Sequence, residues 1–354
     1  MKAVYYALLF ASALIFSSQF LITRAYQRRN GTGFISSVKL SLGAYFTIAV
    51  FFLIKGSITY GKFDLGFSAF TFGMTLLIAL VSLSCVFMGI KVLAVGDMSI
   101  YSVFMMLGSL VLPTFVGLVF YKESFGLIKG IAILLMFAAI IFSISASGKK
   151  VFNIKALICY IGIFLMNGMI GVLFTVHQNH PELTALAVRN NNGSFSVNND
   201  AFMTWYGLST VILSAIVYLV IITVKAFENK KHKSKTDINS CGAEIENKNE
   251  NYYQTDSECN VCGKQNALSI IKQIAIFIVL PVFYGLCNGL GDYFIAIATQ
   301  PGALGSSVTF PIINGGTILF SSLFGLIFYK EKFRLATYIA LALVMASTVL
   351  FMFA

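Results

Sequence analysis

Ten apolar runs, each about as long as a bilayer is thick, constrain this chain more than any other feature. They fall at about 3–22, 34–54, 70–90, 99–120, 125–145, 154–174, 202–224, 270–296, 303–328 and 336–353, and a helix needs about 20 apolar residues to cross the hydrocarbon. Lipid offers backbone amides no partner, so each run must satisfy its own by coiling into a helix. Barrel strands would alternate polar and apolar residues, and these runs do not. With 58% hydrophobic residues, a mean hydropathy of +0.84 and 11% charged residues, the chain cannot dissolve as a globule. The expectation is an all-α integral membrane protein with ten transmembrane helices. Lys2 and the run Ala11-Ser12-Ala13 look like parts of a cleaved signal peptide, but the apolar stretch continues past them and reads as the first helix.

The segment Phe120-Tyr121-Lys122-Glu123 returns as Phe328-Tyr329-Lys330-Glu331, each copy closing one run and opening the next. Laid over each other without a gap, residues 99–138 and 307–346 agree at roughly a third of positions, among them Gly108 with Gly316 and Gly117 with Gly325. The chain therefore reads as two related halves, 1–148 and 149–354, the second interrupted by a polar loop at about 227–266. Five spans per half bring the second copy in from the opposite side, giving two inverted five-helix repeats. Secondary transporters built this way hold substrate near the midplane, where the repeats meet.

Odd-numbered connections carry about eighteen of the 25 Lys and Arg, which by the positive-inside rule puts them in the cytosol and both termini outside. The net charge of +11 is scattered at helix ends, a pattern that suits anionic headgroups rather than nucleic acid. The seventh connection, 228–265, mixes Lys with Glu, Asp and Asn and should be disordered or loosely folded. The Asn-rich sixth, 177–199, suits an outer surface. Cys85, Cys159 and Cys287 lie inside runs and act as small apolar groups. Cys259 and Cys262 form one Cys-x-x-Cys knuckle, with His232 and Cys241 earlier in the same loop. A zinc ribbon needs two knuckles, so solvated thiols are expected, with a metal site or redox pair as the alternatives. No Gly-rich phosphate cradle, His-Glu-x-x-His or Gly-x-Ser-x-Gly occurs; no catalytic residue is assigned and no cofactor is called for.

Polar residues within the spans carry the most information, because each costs free energy in lipid and should face protein or water. Gly285, Asn288 and Asp292 share one face of the eighth run, with Pro281 a turn earlier. Asp292 is the best candidate for a buried carboxylate that couples transport to a proton; the alternative is a carboxylate near the helix end that reaches headgroups. Asn314, Thr317 and Ser321 form a stripe on the ninth run, and the repeat maps them onto Met106, Ser109 and Pro113 of the fourth, with Ser102 a turn earlier. The first run offers Ser12, Gln19 and Thr23 on one face, and the sixth offers Asn167 with Gly171. Laying Tyr26-Gln27 over His177-Gln178 puts Asn167 opposite Phe16. The substrate-cavity candidates are Ser12, Gln19, Ser102, Met106, Ser109, Asn167, Asn288, Asp292, Asn314 and Thr317, with Met105 and Phe310 shaping the walls. Each single hydroxyl or amide would serve equally as an interhelical hydrogen bond. Glu123 and Glu331 precede the fifth and tenth runs, where a carboxylate faces a helix dipole in a structural role.

Ten spans in two halves, each with an aromatic-x-x-Glu junction between its fourth and fifth spans, resemble the EamA-type members of the drug/metabolite transporter superfamily. The resemblance implies a ten-helix carrier that moves small metabolites, often outward, by alternating access without ATP. The family usually has a small residue before the Glu, where this chain has Lys122 and Lys330, and its usual orientation puts both termini in the cytosol. The function expected is secondary transport of amino acids, sugars or drug-like compounds across the plasma membrane, by a single chain or a homodimer. Its partners would be a small-molecule substrate, the bilayer and a coupling proton. A membrane-embedded lipid-modifying enzyme and a non-transporting scaffold or sensor are the alternatives.

Overall fold

A computed structural model of the chain describes residues 2–31, 33–60, 65–95, 98–122, 126–146, 154–184, 187–189, 195–243, 267–300, 303–330 and 333–353. Ten α-helices are formed by them: α1 Lys2–Asn30, α2 Phe34–Tyr60, α3 Ala69–Val95, α4 Met98–Val119, α5 Leu127–Ala146, α6 Ile154–Asn179, α7 Asn199–Ala243, α8 Ala267–Ala298, α9 Ser306–Tyr329 and α10 Leu335–Met352. Nine of these are long and apolar enough to cross a membrane; in α5 the matching apolar stretch among the described residues, Leu127–Ala139, is shorter. Polarity is turned inside out relative to a water-soluble protein. Ser12, Ser17, Thr210, Thr317 and Ser347 are wholly buried, while Ile58, Leu134 and Leu219 are each more than three-fifths exposed. That distribution belongs to an integral membrane protein, whose outer face meets lipid.

Two local departures from the sequence reading stand out. The seventh connection begins as helix, because α7 runs on to Ala243; Lys and Glu are good helix formers, and the segment continues a turn pattern already established by the span. The sixth connection is not all coil or helix. It holds a 3-10 turn, Pro181–Leu183, and a short antiparallel pair, β1 Ala187–Arg189 with β2 Phe195–Val197, in which Ala187 faces Val197.

The helices pack in a definite pattern. Helix α1 lies on α8 and α9, and α6 lies on α3 and α4; α2 packs on α7 and α8, and α7 on α2 and α3; α4 faces α9, and α5 faces α10. On α4, Ser102 accepts a hydrogen bond from Ser321 at 2.8 Å, and Ser109, seven residues later, donates to Asn314 at 2.9 Å, seven residues earlier on α9. Helices α4 and α9 therefore cross the core antiparallel. Glycine sets the closest approaches. A Cβ on Gly108 would run into the carbonyl oxygen of Phe164 on α6, and one on Gly316 would come 2.8 Å from the Ala13 Cβ on α1. Small residues at such crossings let backbones approach and van der Waals contact hold the helices.

At the ends of α4 and α9 the backbone turns through Lys122 and Lys330, with φ of 50° and 52°. Both occupy the left-handed region, the conformation a helix C-cap commonly asks of glycine. In the second copy the Lys330 N–H donates to the Gly325 carbonyl. The two motif tyrosines also find matching seats: Tyr329 lies under the guanidinium groups of Arg24 and Arg28 at the end of α1, 4.2 and 4.8 Å from its ring centre, and Tyr121 lies 6.1 Å from His180 at the end of α6.

Candidate functional site

A cavity of about 70 Å³ sits among α1, α2, α3, α4, α6, α7, α8 and α9. Of the residues singled out from sequence, Gln19, Met106, Ser109, Asn167, Asn288, Asp292 and Asn314 line it, as do Phe16, Met105, Gly171 and Phe310. Asp292 is buried and accepts a hydrogen bond from Asn288 Nδ2 at 3.0 Å. These two residues stand one turn apart on α8, which is why their side chains meet. Ser109 of α4 donates to Asn314 Oδ1 of α9, and Asn167 Nδ2 of α6 donates to the Met105 carbonyl of α4 at 2.7 Å. Among the described residues, Asn314 Nδ2 and Gln19 Oε1 have no hydrogen-bond partner, although both side chains are almost wholly buried. A buried polar atom left unpaired costs about 1–3 kcal/mol, so these two mark where a ligand or water belongs.

Ser12, Ser102 and Thr317 do not line the cavity; they join helices. Ser12 donates to the Gly291 carbonyl of α8 at 3.1 Å, Thr317 to the Ala13 carbonyl at 3.4 Å, and Ser102 accepts from Ser321. Thr23 donates back to the Gln19 carbonyl of its own helix. Gly285 packs against the Ala44 backbone of α2 rather than the open space. Glu123, Glu331, Cys259 and Cys262, and the side chains of His232 and Cys241, lie outside the described residues. Among the described residues no cluster of three His, Cys, Asp or Glu side chains is arranged to hold a metal ion.

The cavity is more aromatic than the sequence suggested. Tyr45 of α2, Tyr101 of α4, Tyr206 of α7 and Tyr284 of α8 line it, together with Ser82 and Cys85 of α3 and Phe174 of α6. The Tyr45 and Tyr206 hydroxyls are 3.0 Å apart, and Ser82 Oγ lies 2.9 Å from that of Tyr206. Their rings meet edge to face with centres 5.2 Å apart, a favoured aromatic geometry. The signal available in sequence was a tyrosine within each of two spans, Tyr45 and Tyr206, where a hydroxyl needs a partner.

Beside the cavity an ion pair ties three helices together. Lys55 Nζ of α2 lies 2.7 and 2.9 Å from the two carboxylate oxygens of Asp200 at the start of α7, and donates to the Tyr293 hydroxyl of α8 at 2.9 Å. Asp200 is buried while Lys55 is about one-third exposed. The Asn198 side chain caps the first turn of α7 by accepting from the Asp200 and Ala201 N–H groups, and a carboxylate in that turn also meets the positive end of the helix dipole.

No family model matches the chain, and no curated protein does. Among solved structures, a crystal structure described only as that of a protein superimposes with a TM-score of 0.58 at 12% identity, covering 99% of this chain and 96% of its own. The likeness is one of fold, over essentially the whole of both chains.

Proposed function

We infer that the chain is a secondary carrier of small metabolites that works by alternating access, built as ten spans in two inverted five-helix repeats of the EamA type. The observation that carries this reading is the cavity: it is walled by helices of both halves and holds one buried carboxylate, Asp292. Several facts support the repeat. Adding or subtracting five from each helix number turns the principal packing partners into one another: α1 on α8 and α9 becomes α6 on α3 and α4, and α2 on α8 becomes α7 on α3. Three pairs, α2 with α7, α4 with α9 and α5 with α10, map onto themselves, as helices beside a two-fold axis must. Gly108 against Phe164 and Gly316 against Ala13 are one contact made twice, since the alignment that lays Tyr26 over His177 also lays Ala13 over Phe164. The left-handed lysines and the two seated tyrosines repeat in the same way.

In this reading Asp292 takes up the coupling proton, and the contact of Lys55 with Asp200 and Tyr293 closes one mouth while the other opens. The outward direction and a plasma-membrane location rest on the family resemblance. The test is counterflow in liposomes holding the purified protein, over a panel of amino acids, amines, sugars and cationic drugs. Solute-dependent exchange above empty liposomes is expected for one class; permeability equal to empty liposomes across the panel rejects the carrier.

A further inference from the structure

We propose that the cavity takes a small organic monocation, an amine or quaternary ammonium, with Asp292 as its counter-charge and the surrounding rings as the rest of its wall. This deepens the carrier reading and rests on it for the claim that the ligand is moved. The first argument is charge. Asp292 is the one carboxylate among the described lining residues, and no Lys, Arg or His is found there. An anion would meet it with no opposing charge, and a zwitterion would have to bury its own carboxylate against neutral groups, which is costly in a buried site. A monocation leaves the filled cavity neutral when Asp292 is ionised.

The second argument is the wall. Phe16, Tyr45, Tyr206, Tyr284 and Phe310 face the same small space, and the faces of such rings attract a desolvated cation that cannot otherwise be hydrated. The third is the pattern of the polar groups. Asn167 Nδ2, Asn288 Nδ2, Ser109, Ser82 and the Tyr45 and Tyr206 hydroxyls are already held in hydrogen bonds, and Gln19 Oε1 and Asn314 Nδ2 are covered lining atoms with no partner among the described residues. One acceptor and one donor of this kind suit an uncharged polar group carried by the ligand beside its cationic centre. The titratable groups around the cavity besides Asp292 are Tyr45, Cys85, Tyr101, Tyr206 and Tyr284, none of which supplies a positive charge.

The experiment compares three probes of nearly one shape on purified full-length protein: choline, its uncharged isostere 3,3-dimethylbutanol, and the zwitterion glycine betaine. Binding is read by calorimetry and by thermal stabilisation in detergent. Choline is expected to bind at least about tenfold more tightly than either analogue, to bind more weakly to Asp292→Glu, and to lose binding in Asp292→Asn. Equal binding of betaine or the alcohol, or undiminished choline binding by folded Asp292→Asn, overturns the proposal. Should both variants fail to fold, the wild-type ranking of the three probes decides alone. Choline binding of the expected pattern without counterflow in liposomes upholds the site and rejects the carrier; counterflow of uncharged or zwitterionic solutes with none of choline rejects the monocation and upholds the carrier.

Discussion

The hydroxyls of Tyr45 and Tyr206 meet at 3.0 Å, tyrosine to tyrosine, across the seam between α2 and α7. Two buried phenols sharing one bond make a coupled pair. Tyr45→Phe and Tyr206→Phe should each lower stability by about 1 kcal/mol, and the double variant by clearly less than the sum, because the shared bond can be lost only once. Thermal unfolding of the four proteins in detergent checks this; strict additivity would show that the hydroxyls do not interact.

Breaking the ion pair costs more. Lys55→Met leaves a buried carboxylate on Asp200 with the Tyr293 hydroxyl no longer bridged, and about 1–3 kcal/mol should go, given that Lys55 is partly open to water. Exchanging the charges, Lys55→Asp with Asp200→Lys, should recover part of that loss. A variant as stable as the wild type would mean that water already serves Asp200.

Asp292→Asn removes the one carboxylate that lines the cavity among the described residues. If the chain is the proposed carrier, flux driven by a pH gradient disappears in this variant while it still folds; proton-driven flux at the wild-type rate would take Asp292 out of the coupling step. The readout is uptake into liposomes with and without an imposed gradient.

The two glycine crossings should not respond equally. A methyl on Gly108 meets a backbone oxygen that has nowhere to go, whereas one on Gly316 meets the Ala13 Cβ at 2.8 Å. Gly108→Ala is expected to cost about 3 kcal/mol and Gly316→Ala nearer 1. Their order in a thermal unfolding assay is the measurement, and a reversed order would contradict the packing.

Lys122→Gly and Lys330→Gly should each raise stability. A side chain in the left-handed region costs about 1–2 kcal/mol, and glycine gives back about 0.5–1 through its looser unfolded chain. The net gain is up to about 1 kcal/mol at each site. A lower melting temperature in either variant would mean that the lysine side chain has a compensating anchor.

What the sequence disclosed, and what it hid, follows from the range of each signal. Helices announce themselves over some twenty consecutive residues, so the helices α1 to α10 lie close to the apolar runs. Amides and carboxylates such as Asn288, Asp292 and Asn314 stand out against apolar neighbours. Tyr45 and Tyr206 do not, since a phenol counts as apolar in a run and its hydroxyl reveals itself only once a partner 161 positions away is known. Lys55 and Asp200 are separated by 145 positions and sit at span ends, where charge is ordinary. Ser12 and Thr317 point the other way: conspicuous as polar residues within spans, they bond to backbone carbonyls of neighbouring helices, a use that periodicity cannot tell from lining a cavity.

Asp292 and Tyr293 are consecutive on α8, one facing the cavity and the other holding Lys55. Neighbours on a helix point about 100° apart yet ride on the same rigid rod. A pull on the carboxylate that rolls or tilts α8 therefore also displaces the phenol, with no flexible joint between the two to absorb the movement.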